Sequence, residues 1–271
     1  MKKKILLPTD FSDNAWSAAV YALNLFENYK CTFYFLNALS PQTPVPEYDS
    51  GKAIDVQKEL AELKDMAIKA NANANHQIET IASIYNLKKA VETAVTRFNI
   101  DLVVMGTKGA TGTKEMFYGS NTVNVLSKIK KCPVLVVPDE FDYEPPKHIA
   151  FPTDFSRSYS EKEMLYLKNL ASLCGSKFRI VHVAVEKTLS KNQKKNQEEL
   201  DRFLAEYEPS FHWLPNYTSK KNAITDFIDE TNVNILAMVN YEHSLLDKII
   251  KEPVIKKIGF KPIVPFFVVP N

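Results

Sequence analysis

The residues best equipped for chemistry lie in Met105–Thr122, MGTKGATGTKEMFYGSNT. Gly106 and Gly109 stand where a chain leaving an apolar run must turn. Glycine tolerates positive φ there and lets backbone N–H groups come close to an anion. Gly119, Ser120, Asn121 and Thr122 follow as a helix start. The free N–H groups and positive dipole end of a helix start suit a phosphate, and the hydroxyls are placed to donate. Two half-sites thus converge on one anionic ligand. A glycine pair used only for tight turning is the simpler alternative, and Gly112 reads as loop filler.

The elements that must hold this loop are legible from periodicity. Ile5–Leu7 reads as a buried strand, followed by a helix capped by Ser12 or Asp13 with Trp16, Val20 and Leu23 on one face. Strands are expected at Phe33–Leu36, Gln77–Ala82, Leu102–Met105 and Val134–Val137. Helical faces are expected at Val56, Leu60, Leu63 and Ala67, at Leu87, Val91, Ala94 and Phe98, and at Val123, Leu126 and Ile129. Ser40–Gly51, with three prolines, reads as a surface loop. Apolar strands alternating with helices predict an α/β fold, a parallel sheet covered on both faces, with ligands beyond the carboxyl ends of the strands.

The chain repeats itself. Ile5–Ser12, ILLPTDFS, returns as Ile149–Ser156, IAFPTDFS, at an offset of 144 residues. Pro133–Pro138, PVLVVP, returns as Pro265–Pro270, PFFVVP, at an offset of 132. The second copy is expected to place strands at Ile149–Phe151, Ile180–Val183, Ile235–Val239 and Phe266–Val269. Lys187–Glu199 is too polar to assign beyond a solvated helix start or a loop. Asp139–Lys147 reads as a linker, with the boundary near Glu144, so two tandem five-stranded domains are expected at 1–140 and 145–271.

The opening PTDFS, the closing PVLVVP strand and the pattern Gly106, Gly109, nine intervening residues, Gly119 and Ser120 resemble the ATP-binding members of the universal stress protein (UspA-like) family. The resemblance covers essentially the whole chain as two units. It implies two doubly wound, Rossmann-like sheets of the adenine nucleotide α-hydrolase type, and ATP or another adenine nucleotide as ligand, with or without Mg²⁺. It further implies that Pro8 and Asp10 meet the adenosine portion and that Ala38 and Met105 line the base pocket. Gly106 and Gly109 would meet phosphate through their backbone, Gly119, Ser120 and Asn121 would close on it from the helix, and Lys108 would be a nearby cation. Single-domain members commonly dimerise through the last strand. By that likeness Val134–Val137 is expected to pair with Phe266–Val269 as an internal pseudo-dimer, and a homodimer of whole chains stays open. The second copy keeps Pro152, Thr153, Asp154 and Ser156 but has Val239–Ile250, VNYEHSLLDKII, in place of the glycine loop and Lys251–Val254, KEPV, near the expected helix start. Proline brings no N–H donor, so this half is expected to bind no nucleotide in the same way.

Other readings are plainer. Asp10 and Ser12 can serve as a turn and a helix cap alone, since the second copy keeps both motif residues without the loop. His76, His148, His182, His212 and His243 show no metal-ligand spacing, and no metal site is expected. His243, Ser244 and Asp247 lack the GxSxG context of a catalytic triad, and Lys128, Lys130 and Lys131 suit a helix C-terminus. No Walker motif, SGGxDS-like or HIGH-like signature is present, so no catalytic residues are assigned, although slow ATP turnover stays open. Cys31, Cys132 and Cys174 form no CxxC pair; Cys132 and Cys174 read as small buried residues, and a cytoplasmic setting is expected. Ile5–Leu7 is too short for a signal peptide core, and a formal net charge of +2 points to neither nucleic acid nor membrane. The function expected is that of a stress-response regulator that binds an adenine nucleotide in its first half; an interaction scaffold that binds none is the alternative.

Overall fold

A computed structural model describes residues 2–39, 50–107, 119–139, 141–184, 188–215, 220–241 and 264–271. The first half runs β1 (Lys3–Pro8), α1 (Asp13–Leu25), β2 (Cys31–Ala38), α2 (Ser50–Ala70), β3 (His76–Ser83), α3 (Leu87–Phe98), β4 (Leu102–Gly106), α4 (Ser120–Lys128) and β5 (Val134–Val137). The second runs β6 (His148–Pro152), α5 (Glu161–Cys174), β7 (Lys177–Ala184), α6 (Lys191–Leu204), β8 (Ser210–Pro215), α7 (Lys220–Glu230), β9 (Ile235–Asn240) and β10 (Phe266–Pro270).

The strands form one ten-stranded sheet in the order β3-β2-β1-β4-β5-β10-β9-β6-β7-β8. Each five-strand half is parallel, in the doubly wound order of a Rossmann-like α/β fold. The halves meet where β5 runs antiparallel to β10, with Phe266 opposite Val136 and Val268 opposite Val134. All four residues of β5 and all five of β10 are buried, so each strand covers an edge the other would expose.

The sheet's two faces carry separate cores. Ile5, Leu7, Phe33, Phe35, Leu135 and Phe267 pack with α1, α2, α5 and α6 on one face. Leu6, Leu36, Val103, Met105, Val136 and Phe266 pack with α3, α4 and α7 on the other. Neighbours such as Leu6 and Leu7 split between the faces because strand side chains alternate, and the continuous apolar runs follow from burial on both sides. Burying each Leu or Phe contributes roughly 1.5–3 kcal/mol.

Local signals end the helices where the strands require it. Asn86 accepts from Lys89 N to start α3, and Asn99 leaves it in the left-handed region at φ 52°. Ser160 and Glu163 form a reciprocal capping box on α5, which Gly175 ends at φ 65°. The polar stretch left unassigned from sequence becomes α6, started by a Ser190–Gln193 capping box; only Leu200 and Leu204 are buried, so its apolar period shows only near its end. Between β5 and β6, Phe141 and Tyr143 leave regular structure but pack on Tyr21 of α1, the Tyr143 ring edge-on at 5.2 Å.

Candidate functional site

In the first half the connections leave β1 and β4 in opposite directions across the sheet, which opens a crevice beyond their carboxyl ends. Pro8, Asp10, Ala38, Met105, Gly106 and Asn121 meet there, six of the expected site residues. Thr9, Ala15, Asn37, Leu87 and Thr122 complete its lining. The crevice holds about 90 Å³. That is far below the roughly 300–1,000 Å³ of a site that encloses a whole ligand, so it takes one end of one.

The start of α4 is tied to β4 before any ligand is considered. Gly119 N donates to Thr107 O at 2.7 Å, and Thr122 Oγ1 donates to Gly106 O at 3.0 Å. Two groups that the sequence offered to phosphate are therefore already used: the Gly119 amide and the Thr122 hydroxyl. What remains is the first turn itself. Among the described residues no acceptor meets the amides of Ser120, Asn121 or Thr122, and the side chains of Ser120 and Asn121 are exposed. Three amides at a helix start, beside an apolar crevice, fit an anionic group carrying an apolar or aromatic end.

Gly106 owes its identity to packing. Its φ is not positive, but a Cβ at this position would stand 2.0 Å from Asn14 Oδ1 and 2.7 Å from its Cγ. Asn14, 6% exposed, holds that place by donating from Nδ2 to Asp139 Oδ1 at 3.0 Å. Asn37 likewise donates to Thr9 O at 2.9 Å and fixes the crevice wall. No short motif marks Asn14 or Asn37; a lone amide on an apolar face was the one available signal.

The PTDFS motif folds the same way twice. Phe11 N donates to Thr9 Oγ1 at 3.0 Å and Phe155 N to Thr153 Oγ1 at 3.0 Å, with φ of 63° and 55° at the two phenylalanines. Ser12 N donates to Asp10 Oδ1 at 3.2 Å, and Ser156 N to Asp154 Oδ1 at 2.9 Å. A bulky residue at positive φ is strained, and these side-chain bonds hold the turn against that strain. Ser12, not Asp13, caps α1. The turn explains the motif's recurrence without a ligand.

Lys108, Gly109 and Gly112 lie outside the described residues, as do most of Ser40–Gly51, His243, Ser244, Asp247 and Lys251–Val254. Among the described residues no three His, Cys, Asp or Glu side chains group as a metal site, and no helix is long and apolar enough to cross a membrane. His182 faces Thr153 O through Nδ1 at 2.8 Å. Cys31 and Cys132 are buried, whereas Cys174 is only partly so; burial pushes all three thiols up to about 12, which keeps them protonated near neutrality.

Comparison with known proteins decides the family, because the universal stress protein family matches residues 1–138. The chain belongs to the universal stress protein family. It is 32% identical over 144 residues to the universal stress protein MJ0531 of Methanocaldococcus jannaschii, a match covering 50% of this chain and 81% of that protein. Universal stress protein MJ0577 of the same organism is 29% identical over 159 residues, covering 51% of this chain and 95% of its own. A crystal structure of a universal stress protein from Archaeoglobus fulgidus superposes with a TM-score of 0.69 at 18% identity, over 99% of this chain and 96% of that one. The last likeness extends the fold across both halves.

Proposed function

We propose that this universal stress protein binds one adenine nucleotide, ATP, ADP or AMP, in its first half and acts as a non-catalytic regulator of a stress response. The observation that carries the reading is the open first turn of α4, whose residues Asn121 and Thr122 line the same crevice as Pro8, Ala38 and Met105. In this reading the base enters the crevice and the phosphates lie toward the amides of Ser120–Thr122. Asp10 sits at the mouth near the ribose. Lys108, Gly109 and the backbone of Gly106 and Gly119 are carried by the family resemblance alone. Residues 1–140 form the binding domain and 145–271 a degenerate one, paired as an internal pseudo-dimer in a cytoplasmic protein. The nucleotide is bound with or without Mg²⁺, and the reading requires neither hydrolysis nor pairing of whole chains.

Calorimetry with ATP, ADP and AMP, with and without Mg²⁺, tests it. One site per chain is expected, and Ala38→Trp, which fills the crevice mouth, should weaken it at least tenfold with the melting temperature kept. No heat from any of the three, in a folded chain, refutes it. Two facts favour a scaffold that binds no nucleotide: the packing of Asn14 on Gly106 and the twin PTDFS turns account for much of the motif structurally. Under that reading Ala38→Trp alters no ligand affinity.

A further inference from the structure

A second cavity lies at the opposite end of the sheet. It holds about 730 Å³, within the roughly 300–1,000 Å³ of small-molecule sites. Its floor is Ile5, Leu102 and Phe267, each no more than 5% exposed, from β1, β4 and β10. Phe26 and Tyr29 from the end of α1 and its following turn form one wall, and Leu170 and Leu173 of α5 the other, so both halves of the chain build it. Lys3 opens β1 and Leu102 opens β4, so this cleft is a full strand length from the crevice at their carboxyl ends.

The rim is unbalanced in charge. Lys3, Lys131 and Lys162 line it against one carboxylate, Asp101, whose Oδ2 accepts from Lys4 N at 2.8 Å. Lys131 Nζ donates to Thr96 Oγ1 at 3.2 Å, and among the described residues neither Lys3 nor Lys162 has an ion-pair partner. An apolar floor and walls under a cationic rim complement a molecule with an apolar body and one negative head. Apolar surface supplies the contact area and a few placed polar groups fix the orientation.

We propose that this inter-half cleft binds a small amphipathic anion, an aliphatic or aromatic body bearing a single acidic head. Such a ligand touches α1 and α5 together, so its binding also ties the two halves and raises the melting temperature by mass action.

The probe is 8-anilinonaphthalene-1-sulfonate, added to the full chain. The expected result is saturable fluorescence enhancement at one probe per chain, displaced by dodecanoate or dodecyl phosphate below their micellar concentrations but not by dodecanol. The stronger of the two displacers identifies the head group as carboxylate or phosphate. Excess ATP leaves the signal unchanged. Asn169→Trp, at an exposed lining position of α5, and Lys131→Glu combined with Lys162→Glu each weaken the probe at least tenfold with an unaltered circular dichroism spectrum. If Asn169→Trp melts early, Lys162→Glu alone decides. Non-saturable binding, equal displacement by dodecanol, displacement by neither anion, displacement by ATP, or variants that bind like the parent chain each overturn the proposal.

Discussion

The two halves begin with the same turn and then diverge within four residues. In the first, α1 starts directly after Ser12, and Ala15 lines the crevice. In the second, α5 waits until Ser160, and the intervening stretch carries Arg157 and Tyr159. Tyr159 donates from its hydroxyl to Thr153 Oγ1 at 2.8 Å. The Arg157 guanidinium lies over the Tyr159 ring at 4.7 Å and over the ring of Tyr241, just past β9, at 4.2 Å. It also pairs with Glu163 at 2.7 Å. Counting along the paired registers of β1 with β4 and β6 with β9, Met238 and Val239 stand where Met105 and Gly106 stand. At the start of α6, Gln193 and Asn196 donate to Asp154 O and Phe155 O, each at 2.8 Å. The second half has thus built side chains over the ends of β6 and β9, where the first half, among its described residues, keeps small residues and open amides. A shared motif marks a shared turn; what lies beyond the turn decides whether there is a site.

That contrast can be broken by substitution. The largest effect is expected from Arg157→Ala, which leaves the 2% exposed Glu163 without its cation; about 3 kcal/mol of stability should be lost in a urea titration. Next comes Gly106→Val, which gives the first half the second half's residue against Asn14. A loss of about 1–3 kcal/mol is expected from overpacking, most of it recovered when Asn14→Ala is added.

Acid sharpens the same difference. Burial pushes the Glu163 carboxyl upward, but hydrogen bonds from Arg157 and Ser160 outweigh it and hold the pKa below its ordinary 4.5. Its stabilisation is fully present above that value and is lost as pH falls through the lowered folded value. Melting followed from pH 6 to pH 3 should therefore flatten in Glu163→Gln relative to the parent chain. The smallest effects are the caps. Ser160→Ala, which breaks a reciprocal box, should cost about 1–2 kcal/mol, and Ser12→Ala about 0.5–1 kcal/mol, by thermal denaturation.

Much of this is legible in the sequence. Apolar runs such as Val134–Val137 and Phe266–Val269 announce strands because they are buried on both faces. The strand β8 carries no such mark: it is an edge strand in which Trp213 is 49% exposed, so the apolar signal of the interior fades. At the site, the residues of the glycine loop stood out by type, but their reasons did not. Gly106 is small because of Asn14, ninety-two positions away in sequence, and the Thr122 hydroxyl serves the backbone of β4. Nothing in the sequence marks Arg157 and Tyr159, since a stack and an ion pair formed across Tyr241 and Glu163 leave no pattern in a linear reading.

Hydrogen exchange of the backbone amides, with and without saturating ATP, tests the central difference most directly. The account predicts that peptides containing Ser120, Asn121 and Thr122 become protected while those spanning Thr153–Glu163 exchange unchanged. Unaltered exchange at the start of α4, or protection that appears in the second half, would contradict it.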